Sequence, residues 1–216
     1  DRDLVRPEQA LENVRRELAR EILLVERMVE QAGSLVFAYR EGVRRDIAYL
    51  DVVVDNLRRE IVEYLRRLAC LDLEPDASRR VFVYTSLADD IERMGNHVLV
   101  MADLSREKHQ REIAFTNFAR QELDEIEALV LENLRDAASL IEQFDRPKIQ
   151  VMNRREAEVD RKVKMARIRH LERFHRGVCV AEAGPIYIEM LIRLERISDH
   201  CQNIAESVQD LGNFAS

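Results

Sequence analysis

Glu195, Asp199 and Asn203 follow one another at intervals of four residues, so a helix through them carries all three along one ridge. The apolar residues among them, Leu191, Leu194, Ile197, Cys201 and Ile204, recur at steps of three and four, the pattern of a helix with one buried stripe. Two carboxylates and an amide at the edge of such a stripe are costly unless something cationic meets them. The arrangement occurs once before: Glu92, Arg93, Asn96 and His97 match Glu195, Arg196, Asp199 and His200. Two more acidic pairs stand four apart, Asp51 with Asp55 and Glu156 with Asp160, and Glu156 lies within the stripe formed by Met152 and Val159. Carboxylates facing one another across adjacent helices repel unless neutralised. A hard or borderline cation bridged by several oxygens does this with few groups. The plainer reading is a solvated or Arg-paired face, with Arg93 and Arg196 as the partners, because acidic i, i+4 pairs are common on exposed helices.

The two halves differ. Asn96 stands where the second half has Asp199, and Val100 where it has Asn203, so the first set carries less charge and a weaker claim on a cation. If one half alone binds metal, it is the half with Glu195 and Asp199. His97 and His200 directly follow Asn96 and Asp199, which turns them about 100° away from the acidic ridge, so they read as structural or surface residues. Cys201 reads as a small core residue. Nothing in the chain pairs a nucleophile with a base and an orienter, or forms a Gly-rich phosphate loop, so no enzyme is expected.

These residues need elements to hold them. The composition, with 46% hydrophobic, 35% charged and only 6% aromatic residues, six Gly and four Pro, is that of long helices rather than sheets. A net charge of −7 argues against a nucleic-acid binder relying on phosphate contacts. Cys70, Cys179 and Cys201 show no CxxC spacing and are odd in number, which fits a reducing, cytoplasmic setting. No run approaches the ~20 apolar residues of a membrane span, and no signal peptide is visible. The chain opens at Asp1, as a domain excised from a longer protein would.

The apolar periodicity predicts six helices. The first starts at Pro7, with Leu11, Val14, Leu18, Ile22, Val25, Val29 and Ala32 inward, and Gly33 weakens it near its end without necessarily stopping it. The second covers 44–68, and a loop over 70–76 leads to a third ending near 104. The charged run 105–111 predicts a link, followed by a fourth helix over 113–144, a fifth over 147–174 and a sixth after the turn at 177–184. The offset is 105 residues both from Asp51 to Glu156 and from Asp55 to Asp160, and 103 from Glu92 to Glu195, which marks an internal repeat. The expected fold is all-α: six long antiparallel helices as two three-helix bundles side by side, one from 1–104 and one from 105–216.

The stretch Glu195-Arg-Ile-Ser-Asp199-His-Cys-Gln-Asn203-Ile-Ala-Glu206 resembles the E-R-I-x-D-H-x-x-N-I-A-E signature of PhoU domains, regulators in bacterial phosphate uptake. The resemblance spans nearly the whole chain as two repeats. It implies E/D-x-x-x-D motifs that hold a multinuclear metal cluster, of iron or another divalent cation. It makes Glu156, Asp160, Glu195 and Asp199 the leading ligands, with Asp51, Asp55 and Glu92 as the weaker set. The segment from Arg6 to Leu18 and the stretch from Arg169 to Gly184 are similar to the cytoplasmic PhoU-like region of bacterial sodium/phosphate cotransporters. What this implies is a regulatory domain at the inner face of the cell membrane. Its partners would be the membrane domain of a phosphate transporter, other transport or sensor proteins, or a second copy of itself. A free-standing PhoU regulator of a phosphate ABC transporter and its sensor kinase is the alternative, as is a helical protein whose purpose is metal binding.

Overall fold

Each apolar stripe forms a helix. In a computed structural model describing residues 6–214, the order is α1 (Pro7–Phe37), α2 (Glu41–Leu68), α3 (Pro75–Gln110), α4 (Asn117–Glu142), α5 (Arg146–His175) and α6 (Ala183–Phe214). The starts have local causes. Proline stands in the first turn of α1, α3 and α5, where its missing N–H leaves no bond unmade. Thr116 caps α4 by accepting from the Ala119 N–H, and Asp145 caps α5 by accepting from the Lys148 N–H. Gly177, at φ +67°, turns the chain out of α5 in a conformation that favours glycine.

Helices α1, α2 and α3 pack mutually as one bundle, and α4, α5 and α6 as a second. The bundles join through α1 against α4 and α3 against α6, so α2 and α5 lie on the outer flanks. One continuous core runs through both, with Ile22, Met28, Leu87, Ile91, Val130, Leu134, Leu194 and Ile197 all buried. Each such aliphatic side chain contributes roughly 1.5–3 kcal/mol by leaving water. The inward residues expected for the first helix are all buried.

Several helix boundaries differ from those expected. The charged run 105–111 is not the link: α3 continues to Gln110, and the chain leaves the first bundle at 111–116. Charge does not break a helix. Ser105 is buried with its hydroxyl bonded to the Met101 carbonyl, and Glu107 pairs with Arg111 one turn on, so the run is a solvated helical face. Consequently α4 begins at Asn117 rather than 113, and Ile113 is a buried residue of the link. Likewise α3 starts at Pro75, inside the expected loop, because proline at the first position favours a helix start.

Polar ties fix the second bundle. Arg173 on α5 donates to both oxygens of Glu122 on α4 at 3.0 and 2.7 Å, and the Tyr187 hydroxyl on α6 donates to the same carboxylate. Asn133 donates to the Ser198 hydroxyl at 3.0 Å and accepts from Arg155, which also pairs with Asp136. Between the bundles, His97 and His200 stack with ring centroids 5.5 Å apart. Arg193 lies 3.2 Å from His97 Nδ1, and Asp90 lies 2.9 Å from His200 Nδ1. Both histidines are therefore structural parts of the α3–α6 seam, one of the two readings that their position on the helix left open. Burial first, then His200 and the Arg193, Arg196 and Arg93 guanidiniums, push the His97 pKa down to about 4, so this ring stays neutral.

Candidate metal centre

The centre stands where α5 and α6 pack side by side. Glu156 and Asp160 occupy adjacent turns of α5, and Asp199 faces them from α6. One ligand oxygen from each lies within 4.8 Å of the others, and no other such group of three occurs among the described residues. The helices are locked in this register by Met152, Val159 and Val163 on α5 and Leu194, Ile197 and Cys201 on α6, all buried beneath the carboxylates. Burial, then the charges of Asp160 and Asp199, then a hydrogen bond with Asp160 and the charge of Glu195 push the Glu156 pKa up to about 7. Asp199 is also raised, by burial first, although the Arg196 guanidinium 3.2 Å away opposes this. Three carboxylates this close, one of them reluctant to ionise, form a donor set suited to a hard cation. Residues and group fit.

Glu195, expected on the same ridge, is engaged elsewhere. Its Oε2 accepts from Arg167 on α5 at 2.9 Å. Burial still raises its pKa, with Arg167 opposing and Asp160 and Asp199 adding to the rise. Arg167 was not among the expected partners. Its signal was present, since it lies seven residues after Asp160 and so on the same ridge of α5. Arg196 pairs with Asp199 as the plainer reading anticipated, whereas Arg93 is exposed and pairs with no carboxylate among the described residues.

The first half is arranged differently. Asp55 pairs with Arg59 at 3.1 Å within α2, and Glu92 accepts from the Asn96 amide at 2.6 Å within α3. Asp51 faces Gly95, where the two helices approach closely, and its pKa is raised by burial first and then by Glu92 and Asp55. The amide of Asn96 thus satisfies Glu92 where the second half has a further acid. A residue with no expected role stands one helix away. Glu21 on α1 is fully buried, and neither carboxylate oxygen has a hydrogen-bond partner among the described residues. Burial and the charge of Glu92 push its pKa up to about 8, with Arg58 opposing. Its position one residue before Ile22, at the edge of the α1 stripe, was the signal available in the sequence.

Two antiparallel three-helix bundles sharing one core define a duplicated all-α bundle, and a cluster of three carboxylates lies between α5 and α6. The PhoU domain model matches residues 18–104 and 123–208, so the chain belongs to the PhoU domain family. It is similar to the phosphate-specific transport system accessory protein PhoU homolog 1 of Thermotoga maritima, 26% identical over 218 aligned positions that cover 95% of this chain and 88% of that protein. Its fold matches the crystal structure of PhoU from Pseudomonas aeruginosa with a TM-score of 0.87 at 25% identity, covering 96% of this chain and 99% of that one. It also matches the phosphate transport system regulatory protein PhoU from Streptococcus pneumoniae, with a TM-score of 0.86 at 18% identity, covering 97% and 98%.

Proposed function

We propose that this chain regulates phosphate uptake by contacting components of a phosphate transport system, and that it works by binding rather than catalysis. The observation that carries the reading is the family match in both halves, together with the likeness, over most of its length, to a named accessory protein of phosphate-specific transport. That likeness favours an accessory role beside a phosphate ABC transporter and its sensor kinase over the role of a cytoplasmic domain attached to a sodium/phosphate symporter. The symporter reading keeps one supporting observation, the resemblance of the Arg6 to Leu18 and Arg169 to Gly184 stretches to that branch. No helix among the described residues is long and apolar enough to cross a membrane. The test is phosphate uptake in bacterial cells lacking their own PhoU, with and without this chain. Restored control of uptake supports the proposal. Uptake that stays deregulated while the chain is expressed and folded counts against it.

Within this function, Glu156, Asp160 and Asp199 would hold a cation such as iron, and the metal would neutralise charges that otherwise repel across α5 and α6. Protein stripped with chelator, reloaded with iron or manganese and dialysed should retain the metal. Glu156→Ala and Asp199→Ala should each weaken retention at least about tenfold. Equal loss in Glu195→Ala would make Glu195 a ligand too, recruited away from Arg167. Full metal content in the first two variants would remove both residues from the ligand set. The Asp51, Asp55 and Glu92 set is the weaker candidate, and Asp51→Ala should change metal content less than Asp199→Ala.

A further inference from the structure

Of the 34 Lys and Arg residues in this chain only four are Lys. Three have ordinary surroundings: Lys148 donates to the Ser139 hydroxyl at 2.6 Å, Lys162 pairs with Glu125 at 2.7 Å, and Lys164 is exposed. Lys108 stands apart. It lies in the last turn of α3, is partly buried, and pairs with no carboxylate among the described residues. Its Nζ is 5.0 Å from the centre of the Phe115 ring, in the link to α4, and 6.0 Å from that of Phe37, at the end of α1. The charged and titratable groups around it are engaged elsewhere or turned to solvent. Tyr39 donates to Glu41 and stacks on His109, with centroids 4.8 Å apart. Arg120 of α4 lies over the Phe37 ring and reaches Asp124, Glu107 pairs with Arg111, Asp103 pairs with Arg44, and Glu112 is exposed.

An ammonium drawn out of water with no anion beside it gives up its proton more readily. Burial is the cause that lowers the Lys108 pKa from the ordinary lysine value of 10.5. The ring faces and the C-terminal end of α3 favour the ammonium. Neither supplies the full negative charge that Glu125 gives Lys162. A lysine desolvated in an apolar site carries more free amine near neutral pH, which is the activated form of this nucleophile. A cleft of about 450 Å3 opens onto it, lined also by Tyr39, Ser105, His109 and Ile113, with room for a small donor. We propose that Lys108 is an acyl-acceptor site, a modification position whose substrates are small activated acyl groups, carried as acyl phosphates or acyl thioesters. The Nζ lone pair attacks the acyl carbonyl carbon, and a C–N bond forms as the bond to the leaving group breaks. Phosphate or thiolate departs with that electron pair, and the amine proton passes to water. The product is a neutral amide, which removes the unpaired charge from the cleft. An aldehyde would instead leave an imine that takes up a proton and restores the charge. The site is separate from the carboxylate cluster and does not rest on the transport reading.

The test incubates the full chain with acetyl phosphate in one arm and acetyl coenzyme A in the other, and follows acetylation of the four lysines by mass spectrometry. Near neutral pH, Lys108 should react at least about threefold faster than the exposed Lys164 in one arm or both, and the faster arm identifies the donor. As pH is raised, its rate should level off below 10.5. In the urea-unfolded chain the preference for Lys108 should vanish, because the cleft that desolvates it is gone. Gln110 is exposed and lines the same cleft, so Gln110→Glu adds a counter-charge without touching the core. That variant should slow Lys108 and leave Lys164 unchanged. A folded chain in which Lys108 reacts no faster than Lys164 with either donor overturns the proposal. A preference that survives in urea would belong to the neighbouring His109 in sequence rather than to the cleft, and overturns it as well.

Discussion

Replacing Arg173 with methionine is expected to destabilise the folded chain by about 3–5 kcal/mol, the cost of leaving one member of a buried ion pair uncompensated. The side chains of Arg173 and Glu122 are each only 11% exposed, and two parallel hydrogen bonds join them. The Glu122 carboxylate also accepts the Tyr187 hydroxyl, so one acid ties α4, α5 and α6 together. Without the guanidinium, Glu122 keeps a neutral donor and a distant Arg169 at 3.8 Å, which is mostly exposed and screened. Urea unfolding of wild type, Arg173→Met, Glu122→Gln and the double variant separates the loss of the pair from the exposure of the remaining charge. The double variant should recover a large part of the stability lost in Arg173→Met, giving a coupling energy of about 1–3 kcal/mol. A single-variant cost below about 1 kcal/mol would show that the pair is effectively solvated.

The second large effect is expected at Glu21, and it depends on pH. In the unfolded chain this acid titrates near 4.5, whereas burial raises its folded pKa to about 8. The folded state therefore holds its proton more tightly than the unfolded state. The associated stability is fully present below pH ~4.5, declines as pH rises, and is lost once pH passes ~8. Glu21→Gln keeps the shape and removes the titration. In chelator-treated protein, the variant should match wild type near pH 4.5 and exceed it by about 2–4 kcal/mol at pH 9. Thermal melts of the two proteins across this range provide the measurement. A constant difference at all pH values would mean that Glu21 ionises without penalty, by water reaching its oxygens or by Arg58 turning from Asp89 to meet it.

These two residues show where the chain's text ends and its packing begins. Six helices, their inward faces and the duplication were legible because each is a property of one helix or of one offset. A stripe at steps of three and four specifies a buried face whatever neighbour covers it. The acidic pairs were legible for the same reason, each being two residues on one ridge. Helix ends were less so, since the charged run after 104 reads equally as a loop or as a solvated helical face, and Ser105 settles it only by being buried. What one helix does not contain is its rotation and height against the next. That relation brings Asp199 to Glu156 and Asp160, delivers Arg167 to Glu195, and leaves Glu92 to the Asn96 amide of its own helix. It also buries Glu21 with no hydrogen-bond partner among the described residues, although in sequence it is one more acid beside a stripe. Spacing of four along a helix sets about 6 Å between side chains within one element. The distances that decide ligation, pairing and ionisation lie between elements, and the packing of both bundles sets them.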